Sequence, residues 1–353
     1  MFPDTRRLLT FLAVLGPAIL GGWGWSWLNL PLGWLMGAAI VTGATAMSGV
    51  DIRVFKLPHR AGLIVIGTSV GLTLTPDVAV RMVGWLPLMV FSALLGIVLA
   101  LIAAPLLARW GGMSRATAYF SLLPGGVIEM AKVGESYGAD RTTIAALHAI
   151  RVALVVGLLP LILLTLLPAD LAAKSAGIEA SLPQLVLALA VGALGGWIGA
   201  RVNLPAAWLL GAVLSVGVIA ASGVVAGRVP GAFLAAAQVV VGMALGERFQ
   251  RDRLARIPRA IAAGLPTLLG IMAVMALAAT GFAVLLHRDI ASLVLAFSIG
   301  GMAEMVLTAK ALHQDVALVA AFQALRGVLV NATAGQLWHR TRRWRGGSGG
   351  ESG

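Results

Sequence analysis

Two carboxylates inside apolar stretches are the side chains of this sequence best suited to chemistry. Glu129 belongs to the stretch Leu-Pro-Gly-Gly-Val-Ile-Glu-Met, and Glu304 belongs to Ile-Gly-Gly-Met-Ala-Glu-Met, 175 residues later. A charged side chain at the centre of a bilayer costs roughly 2.5 to 3.5 kcal/mol on insertion scales, so such groups generally mark a transport path or have a partner. We interpret both glutamates as groups that exchange a proton or bind a cation. The alternative is that each forms a buried structural ion pair with Arg151 or Arg326.

Two arginines lie downstream of these glutamates. Arg151 and Arg326 stand among Ala, Leu and Val, so both should face the protein interior. They could hold an anionic substrate or, equally well, form bidentate pairs with the glutamates. His148 lies one turn before Arg151 on the same helix face, and Gln323 occupies the matching position in the second stretch. For His148 and Gln323 we expect a packed, hydrogen-bonded role rather than a proton relay.

The Gly-Gly pairs predict that two helices break. Pro124 removes a backbone donor, while Gly125 and Gly126 allow dihedral angles that other residues resist. Gly300 and Gly301 repeat the pair. A broken helix at membrane depth leaves backbone groups unpaired, which is tolerated only where they face protein, water or a ligand. The breaks and the glutamates should therefore share a pocket.

New half-helices should begin after the breaks, near Val127 and Met302. Their N-termini would present free amide groups and the positive end of the helix dipole, an arrangement that suits an anion. A flexible kink that holds no ligand is the alternative. Asp140 and Asp315 precede the next apolar segments, and we expect them to cap those helices.

The composition requires a bilayer as solvent. Hydrophobic residues make up 59% of the chain, charged residues only 11%, and the mean hydropathy is +0.95, far outside the range of soluble domains. The net charge of +12 lies in short clusters between apolar runs, where Lys and Arg set membrane topology, so we expect no nucleic-acid partner. The apolar run after Arg6 and Arg7 is interpreted as the first membrane helix rather than a cleaved signal. Cysteine is absent, which excludes thiolate chemistry.

Twelve apolar segments form two sets of six. They lie at about 8–28, 30–50, 60–75, 82–108, 116–138 and 142–167, and at about 184–201, 204–224, 231–246, 260–286, 291–312 and 316–338. The second set repeats the first at an offset of 174 or 175 residues. Matched pairs include Trp23 and Trp197, Pro31 and Pro205, Trp34 and Trp208, Asp140 and Asp315, and Arg151 and Arg326.

The basic residues of matching loops differ between the halves. Residues 51–60 carry three, against one in the matching loop of the second half, whereas residues 247–260 carry five, against one at 76–81. Because basic loops remain in the cytoplasm, this alternation indicates that the halves are inverted relative to one another. We predict that the amino and carboxyl termini are both cytoplasmic.

Inverted halves each need an odd number of crossings, so one of the six segments per half should not cross fully. The Gly-Gly-Glu segment, as a re-entrant hairpin, is preferred over the short run at 60–75, since about 20 residues are needed to span. We therefore predict an all-α integral membrane protein of two inverted-topology repeats, each with about five spanning helices and one broken or re-entrant segment. The repeats occupy residues 1–167 and 184–338, joined by a linker at 168–183 and followed by a basic, then Gly/Ser-rich disordered tail at 339–353.

A second repeated motif accompanies the first. The pattern Asn-Leu-Pro-x-x-Trp-Leu-x-Gly contains Trp34 and Trp208, which should anchor at the membrane interface or line the pocket. Together with Gly-Gly-x-x-Glu-Met and a downstream Asp and Arg eleven residues apart, it resembles the membrane AbrB-like family over nearly the whole chain. The resemblance implies a multi-pass protein of the bacterial inner membrane, in a family often labelled as regulators of gene expression or as ammonia monooxygenases. In architecture the chain is similar to inverted-repeat transporters such as cation/proton antiporters and bile-acid symporters.

The preferred function is a secondary transporter in which the two Gly-Gly-Glu segments meet near the bilayer centre and the halves rock to alternate access. It would move a small polar or anionic solute, coupled to protons or another cation. The expected binding residues are Gly125, Gly126, Glu129, Arg151, Gly300, Gly301, Glu304 and Arg326, with secondary roles for His148, Gln323, Trp34 and Trp208.

The alternative function is a membrane sensor that influences gene expression without transport. No enzyme motif or metal-ligand spacing is found, so we expect no catalytic residue, metal or cofactor. The expected partners are the lipid bilayer and a small solute or ion. A homodimer is compatible with the sequence.

Overall fold

The computed structural model describes residues 5–74, 76–166 and 179–346, which form helices joined by short turns. The helices are α1 Thr5–Trp27, α2 Gly33–Met47, α3 Lys56–Gly71, α4 Pro76–Gly111, α5 Arg115–Leu122, α6 Val127–Glu135, α7 Arg141–Leu166, α8 Leu182–Arg201, α9 Ala207–Ala221, α10 Gly231–Gly246, α11 Arg251–Leu254, α12 Pro258–Leu285, α13 Ile290–Phe297, α14 Met302–Ala311 and α15 Val316–Gly346. Across the described residues, β-structure is limited to an isolated bridge between Glu179 and Arg228. The protein is therefore all-α in these ranges, as its apolar segments predict.

Six of the described helices are long and apolar enough to cross a bilayer, which takes about 20 residues. They comprise residues 7–27, 80–111, 141–165, 182–201, 258–285 and 316–340, and shorter apolar helices occupy 33–47, 207–221 and 231–246. Large apolar side chains such as Trp27, Leu57 and Leu277 are 73%, 77% and 72% exposed. An apolar surface of this extent suits lipid rather than water. The chain is thus a multi-pass membrane protein.

The helices form two bundles, and each bundle draws on both halves of the chain. Packing is extensive among α1–α3 and α8–α10, which we name the glycine bundle, and among α4–α7 and α12–α15, which we name the broken-helix bundle. Between the bundles α3 packs against α14, and Val70, Val213, Val306 and Ala320 form an apolar cluster there. The two halves of the sequence are therefore interleaved.

Close helix crossings in the glycine bundle depend on residues without a side chain. A Cβ placed on Gly21 of α1 would lie 2.9 Å from the Gly37 carbonyl oxygen of α2. Gly195 and Gly211 make the equivalent crossing between α8 and α9. Small residues of this kind allow backbones to approach, which favours association in lipid, where apolar side chains gain nothing from leaving their solvent.

The long helices α4 and α12 hold matching positions in the two halves and pack antiparallel. Phe91, in the first half of α4, contacts Phe282 near the end of α12, with ring centroids 5.1 Å apart. At the other end, Gly111 of α4 lies against Ala260 of α12. These two matching helices therefore run in opposite directions.

The carboxyl-terminal helix is longer than the sequence predicts. Because α15 continues to Gly346, the basic stretch from Arg340, which we placed in a disordered tail beginning at 339, is helical as far as that glycine. No proline or glycine interrupts residues 339–345, so nothing in this stretch opposes continuation of the helix. The Gly/Ser-rich residues 347–353, and residues 167–178 with most of the predicted linker, lie outside the described residues.

We predict that Gly21→Ala destabilises the protein more than Gly24→Ala. Both substitutions lie in α1 and gain the same helix propensity, about 1 kcal/mol. A Cβ on Gly24 would meet nothing within 4 Å, whereas one on Gly21 would meet the α2 backbone. Overpacking of this kind costs roughly 1–3 kcal/mol. Thermal unfolding of the detergent-purified variants should give a lower Tm for Gly21→Ala, and equal Tm values would contradict the close crossing.

Candidate functional site

Each half of the chain contains one pair of short helices separated by a break. In the first half α5 ends at Leu122 and α6 begins at Val127; in the second half α13 ends at Phe297 and α14 begins at Met302. The half-helices therefore begin where the Gly-Gly pairs predict. We name the pairs α5–α6 and α13–α14 the two hairpins, and the residues at each break the hairpin tip.

The start of each hairpin is tied to the residue that follows its end. The Asp140 amide donates to the Thr117 hydroxyl at 2.9 Å, and the Asp315 amide donates to the Ser292 hydroxyl at 3.0 Å. Thr117 and Ser292 lie in the first turns of α5 and α13. Each pair of short helices thus leaves and returns at one level, which is the geometry of a hairpin.

Asp140 and Asp315 also cap the helices that follow the hairpins. The Asp140 carboxylate accepts the Thr142 and Thr143 amides at 3.0 and 3.1 Å, and the Asp315 carboxylate accepts the Leu318 amide at 2.9 Å. The N-cap prediction for both residues is confirmed. These bonds fix the starting points of α7 and α15 beside the open ends of the hairpins.

The breaks do not require a proline or unusual glycine dihedral angles. Pro124 lies in the first break, but Ile299 takes its place in the second, and the helix is interrupted there as well. Gly126 and Gly301 have φ values of −68° and −76°, which any residue can adopt. The expectation that these glycines supply special dihedral angles is therefore wrong.

The glycines leave room for the side chains that cover them. A Cβ on Gly126 would collide with the Glu129 carboxylate, and a Cβ on Gly301 would collide with the Glu304 carboxylate. The preceding glycines are covered by methionines in the same way, Gly125 by Met130 and Gly300 by Met305. Each carboxylate folds back over the N-terminus of its own half-helix, where the helix dipole favours negative charge.

The buried guanidinium groups of two arginines bind backbone carbonyls at the two breaks. Arg151 of α7 is 1% exposed and donates to the Leu123 carbonyl at 2.6 Å and to the Gly125 carbonyl at 3.1 Å. Arg326 of α15 donates to the two equivalent carbonyls of the second hairpin, with a distance of 2.9 Å to Gly300. Carbonyls that would be unpaired in lipid are thereby satisfied, and positive charge stands at the C-terminal ends of α5 and α13.

His148 and Gln323 bind further carbonyls of the same helices. His148 Nε2 donates to the Phe120 carbonyl at 2.9 Å, which requires the tautomer with the proton on Nε2. Gln323 Nε2 donates to the Leu295 carbonyl at 3.1 Å. The expected packed, hydrogen-bonded role of this matched pair is confirmed.

Acidic and basic groups of different halves are brought together. In the described part of the chain, the ion pairs found within 4 Å involve neither glutamate, so the alternative of a Glu–Arg pair within each half is wrong. Instead, α14 packs against α7 and α6 packs against α15. Glu304 of α14 is 9% exposed and Arg151 of α7 is 1% exposed, so buried groups of opposite charge lie on packed helices of different halves. Each hairpin therefore contacts the long helix that follows the other hairpin, and Glu129 is half-buried.

The two tryptophans of the repeated motif lie elsewhere. Trp34 packs on Gly22 where α1 crosses α2, and Trp208 packs on Gly196 where α8 crosses α9. The Arg60 guanidinium lies over the Trp208 ring, 4.8 Å from its centroid. Both tryptophans belong to the glycine bundle, and the structure does not bring them to the hairpin tips.

One polar contact between the bundles was not predicted. Lys310, in the last turn of α14, donates to the Ser69 hydroxyl of α3. The sequence signal that could have found it is a lysine at the end of an otherwise apolar half-helix, since such a side chain needs a polar partner in its surroundings. This bond joins the second hairpin to the glycine bundle.

We predict that Arg151→Lys and Arg326→Lys lower the stability of the folded protein. A lysine ammonium is a single point charge and cannot bind two carbonyls in a fixed fork, so at least one buried carbonyl loses its donor, at a cost of roughly 1–3 kcal/mol. Arg201→Lys is the matched control because Arg201 lies over the Trp197 ring at an exposed position. Tm values in detergent should fall for the first two variants alone. A control that falls equally would refute the role of the carbonyl bonds.

Comparisons with known proteins assign the chain to a family. The family model described as "Transition state regulatory protein AbrB" matches residues 34–342. The chain is 28% identical over 357 residues to "Uncharacterized protein YhjN" of Bacillus subtilis (strain 168), covering 93% of this chain and 92% of that protein. It is 26% identical over 302 residues to "Putative regulator AbrB" of Escherichia coli (strain K12), covering 84% and 86%. Since the family match extends over most of the sequence, the chain belongs to the AbrB family.

Proposed function

We propose that this protein is a secondary transporter that moves a small polar or anionic solute across the bacterial inner membrane, coupled to protons or another cation. The observation that supports the proposal is the pair of equivalent hairpins, whose breaks are bound by buried Arg151 and Arg326 and whose second half-helix carries buried Glu304. Interrupted helices and buried charges are costly in a bilayer and are typical of substrate and ion pathways.

Helix geometry supports hairpin tips near the bilayer centre. Arg151 lies eleven residues beyond Asp140, and Arg326 lies eleven residues beyond Asp315. At 1.5 Å per residue this is a depth of about 16 Å, roughly half of a hydrocarbon core about 30 Å thick. We therefore propose that both hairpins are re-entrant, which leaves five crossing helices in each half.

The antiparallel packing of α4 and α12 supports inverted repeats. Because these helices match and lead into the two hairpins, α5–α6 and α13–α14 would enter from opposite faces. The excess of Lys and Arg in residues 51–60 and 247–260 then supports cytoplasmic amino and carboxyl termini. In this arrangement the shared site is reached by one hairpin from each side.

Glu129 and Glu304 are the proposed coupling groups. The arginines are engaged with backbone carbonyls, so they supply a fixed positive field, whereas the glutamates are the groups whose charge can change. A carboxylate that binds a proton loses its attraction to the half-helix N-terminus. The amide groups of that N-terminus would then be open to a polar or anionic solute, which links proton uptake to solute binding.

The bundles, rather than the two halves, are the proposed moving units. Rocking one half against the other would separate α2 from α10 and α4 from α12, which are extensively packed. Movement of the broken-helix bundle against the glycine bundle preserves the packing within each. The contact between α3 and α14 would slide or reform as the site changes sides.

A membrane sensor is the second candidate function. One relative is named a putative regulator, and the arginines of residues 248–259 offer a basic surface at the proposed cytoplasmic side. In this case the same site binds its solute without moving it. No enzymatic activity is proposed.

We predict that Glu129→Gln and Glu304→Gln each abolish coupled flux in proteoliposomes. The neutral amide keeps the size of the side chain but cannot gain or lose a proton. Wild-type protein with an imposed proton gradient should accumulate solutes from a panel of small organic anions, or dissipate the gradient in their presence.

Glu135→Gln is the matched control, because Glu135 lies on the same short helix but pairs with Arg141 at exposed positions, 3.5 Å apart. It should retain wild-type flux. Full flux in both glutamine variants of the tips would refute the coupling role. Solute binding to the wild type without flux of either solute or protons would favour the sensor.

A further inference from the structure

A cavity of about 810 Å³ opens at one end of the broken-helix bundle. It lies between residues 81–91 in the first half of α4, the end of α12 and the starts of α13 and α15. Its size falls in the usual range of small-molecule sites, roughly 300–1,000 Å³. The cavity is separate from the hairpin tips, and the residues of the site described above that line it are Ser292, Asp315 and Leu318, at the open end of the second hairpin.

The inner wall of this cavity is aromatic and apolar. Trp85, Phe91 and Phe282 all line it. Trp85 also contacts Phe322 of α15, with ring centroids 6.3 Å apart. Phe322 directly precedes Gln323, which binds the end of α13, so an aromatic layer stands between the cavity and the second hairpin tip. An apolar body can rest against such a wall, and movement of the rings would connect the cavity to the tip.

The polar rim of the cavity favours negative charge. Arg81 and Arg288 contribute two guanidinium groups, and Arg288 lies over the Trp85 ring at 5.7 Å. Asp289 and Asp315 are also present, but both carboxylates cap helices: Asp289 accepts the Ser292 amide at 2.6 Å, and Asp315 accepts an amide of α15. The two guanidinium groups and two carboxylates balance, and the N-termini of α13 and α15, each equivalent to roughly half a positive charge, leave the net field at the rim positive.

A second cavity occupies the matching positions with the two halves of the chain exchanged: residues 111–143 of the first half and 256–260 of the second line it. It has a volume of about 500 Å³ and is lined by Arg256, which matches Arg81, and by Arg259. Asp140, the match of Asp315, lines it as an N-cap. Because α4 and α12 are antiparallel and contribute opposite ends to each cavity, the two cavities lie at opposite ends of the bundle. Each end therefore carries two arginines beside helix N-termini, those of α13 and α15 at the first cavity and those of α5, α7 and α12 at the second.

We infer that the first cavity is a binding site for an amphipathic organic anion, whose apolar body lies against Trp85, Phe91 and Phe282 while its anionic head contacts Arg81 and Arg288. The second cavity repeats the cationic rim at the other end. This inference rests on the proposed transport function, to which it adds the class of solute: a carboxylate or phosphate on an apolar or aromatic body. An acidic phospholipid shares that chemistry, and the experiment below separates the two sources.

The test measures binding of para-fluorophenylacetate to detergent-purified protein by fluorine NMR line broadening, with para-fluorobenzylamine as the cationic counterpart. We expect the carboxylate to bind and the amine not to bind. Arg288→Gln and Trp85→Ala should each weaken carboxylate binding by about tenfold, because one removes a charge-assisted contact and the other removes the stacking surface. Arg201→Gln is the matched control, since Arg201 lies over Trp197 at 4.8 Å, outside the cavity, and should leave binding unchanged.

Equal binding of amine and carboxylate, or equal affinity of Arg288→Gln and Arg201→Gln, would overturn the inference. Arg81→Gln is the second variant should Trp85→Ala fail to give a monodisperse protein. Repeating the measurement in nanodiscs of phosphatidylcholine or phosphatidylglycerol separates the sources: displacement of the probe by phosphatidylglycerol alone assigns the anion site to lipid, and retention assigns it to the solute. Binding is measured without a gradient, so its absence would leave the flux result with the glutamate variants untouched, and loss of flux would leave this binding result untouched.

Discussion

Backbone carbonyls at the two broken helices must find donors away from water, and this requirement governs the arrangement of the broken-helix bundle. An unpaired carbonyl at membrane depth costs several kcal/mol. Arg151 and Arg326 supply the donors, so α7 and α15 must pass the hairpin tips at a fixed height. Asp140 and Asp315, eleven residues earlier, fix the starts of those helices beside the open ends of the hairpins. The form of both hairpins and the position of α7 and α15 beside them follow from these bonds.

Hydropathy and local chemistry predict the helices well, including the half-helices from Val127 and Met302 and the two aspartate caps. The partners of the arginines could not be predicted, because every residue carries the same carbonyl and the sequence does not mark the ones that lose their helical donor. The sequence also does not distinguish a glycine that allows close packing from one that supplies special dihedral angles. Interleaving of the halves is hidden for a further reason: in lipid all apolar helix faces are alike, and only small residues mark a contact.

The two halves keep the same backbone where their side chains differ. Gly112 and Gly138 have φ values of 64° and 75°, and the matching residues, His287 and His313, have φ values of 51° and 53°. A left-handed backbone is unusual for a residue with a side chain. Because both histidines keep this conformation at turns where the first half has glycine, we infer that the neighbouring structure fixes the backbone at the ends of the hairpins. The halves differ in exposure instead: Ile128 beside the first tip is 71% exposed. The matching residue of the second hairpin, Ala303, is 8% exposed, so the first hairpin tip is less covered than the second.

Access to the shared site from both faces is the central claim, and cysteine labelling tests it most directly. The chain has no cysteine, so Ile128→Cys provides a single thiol beside the first hairpin tip. Right-side-out and inverted vesicles would be treated with a membrane-impermeant maleimide under a proton gradient of either direction. Alternating access predicts labelling from both faces, in proportions that change when the gradient is reversed. Labelling from one face alone under both gradients would contradict it.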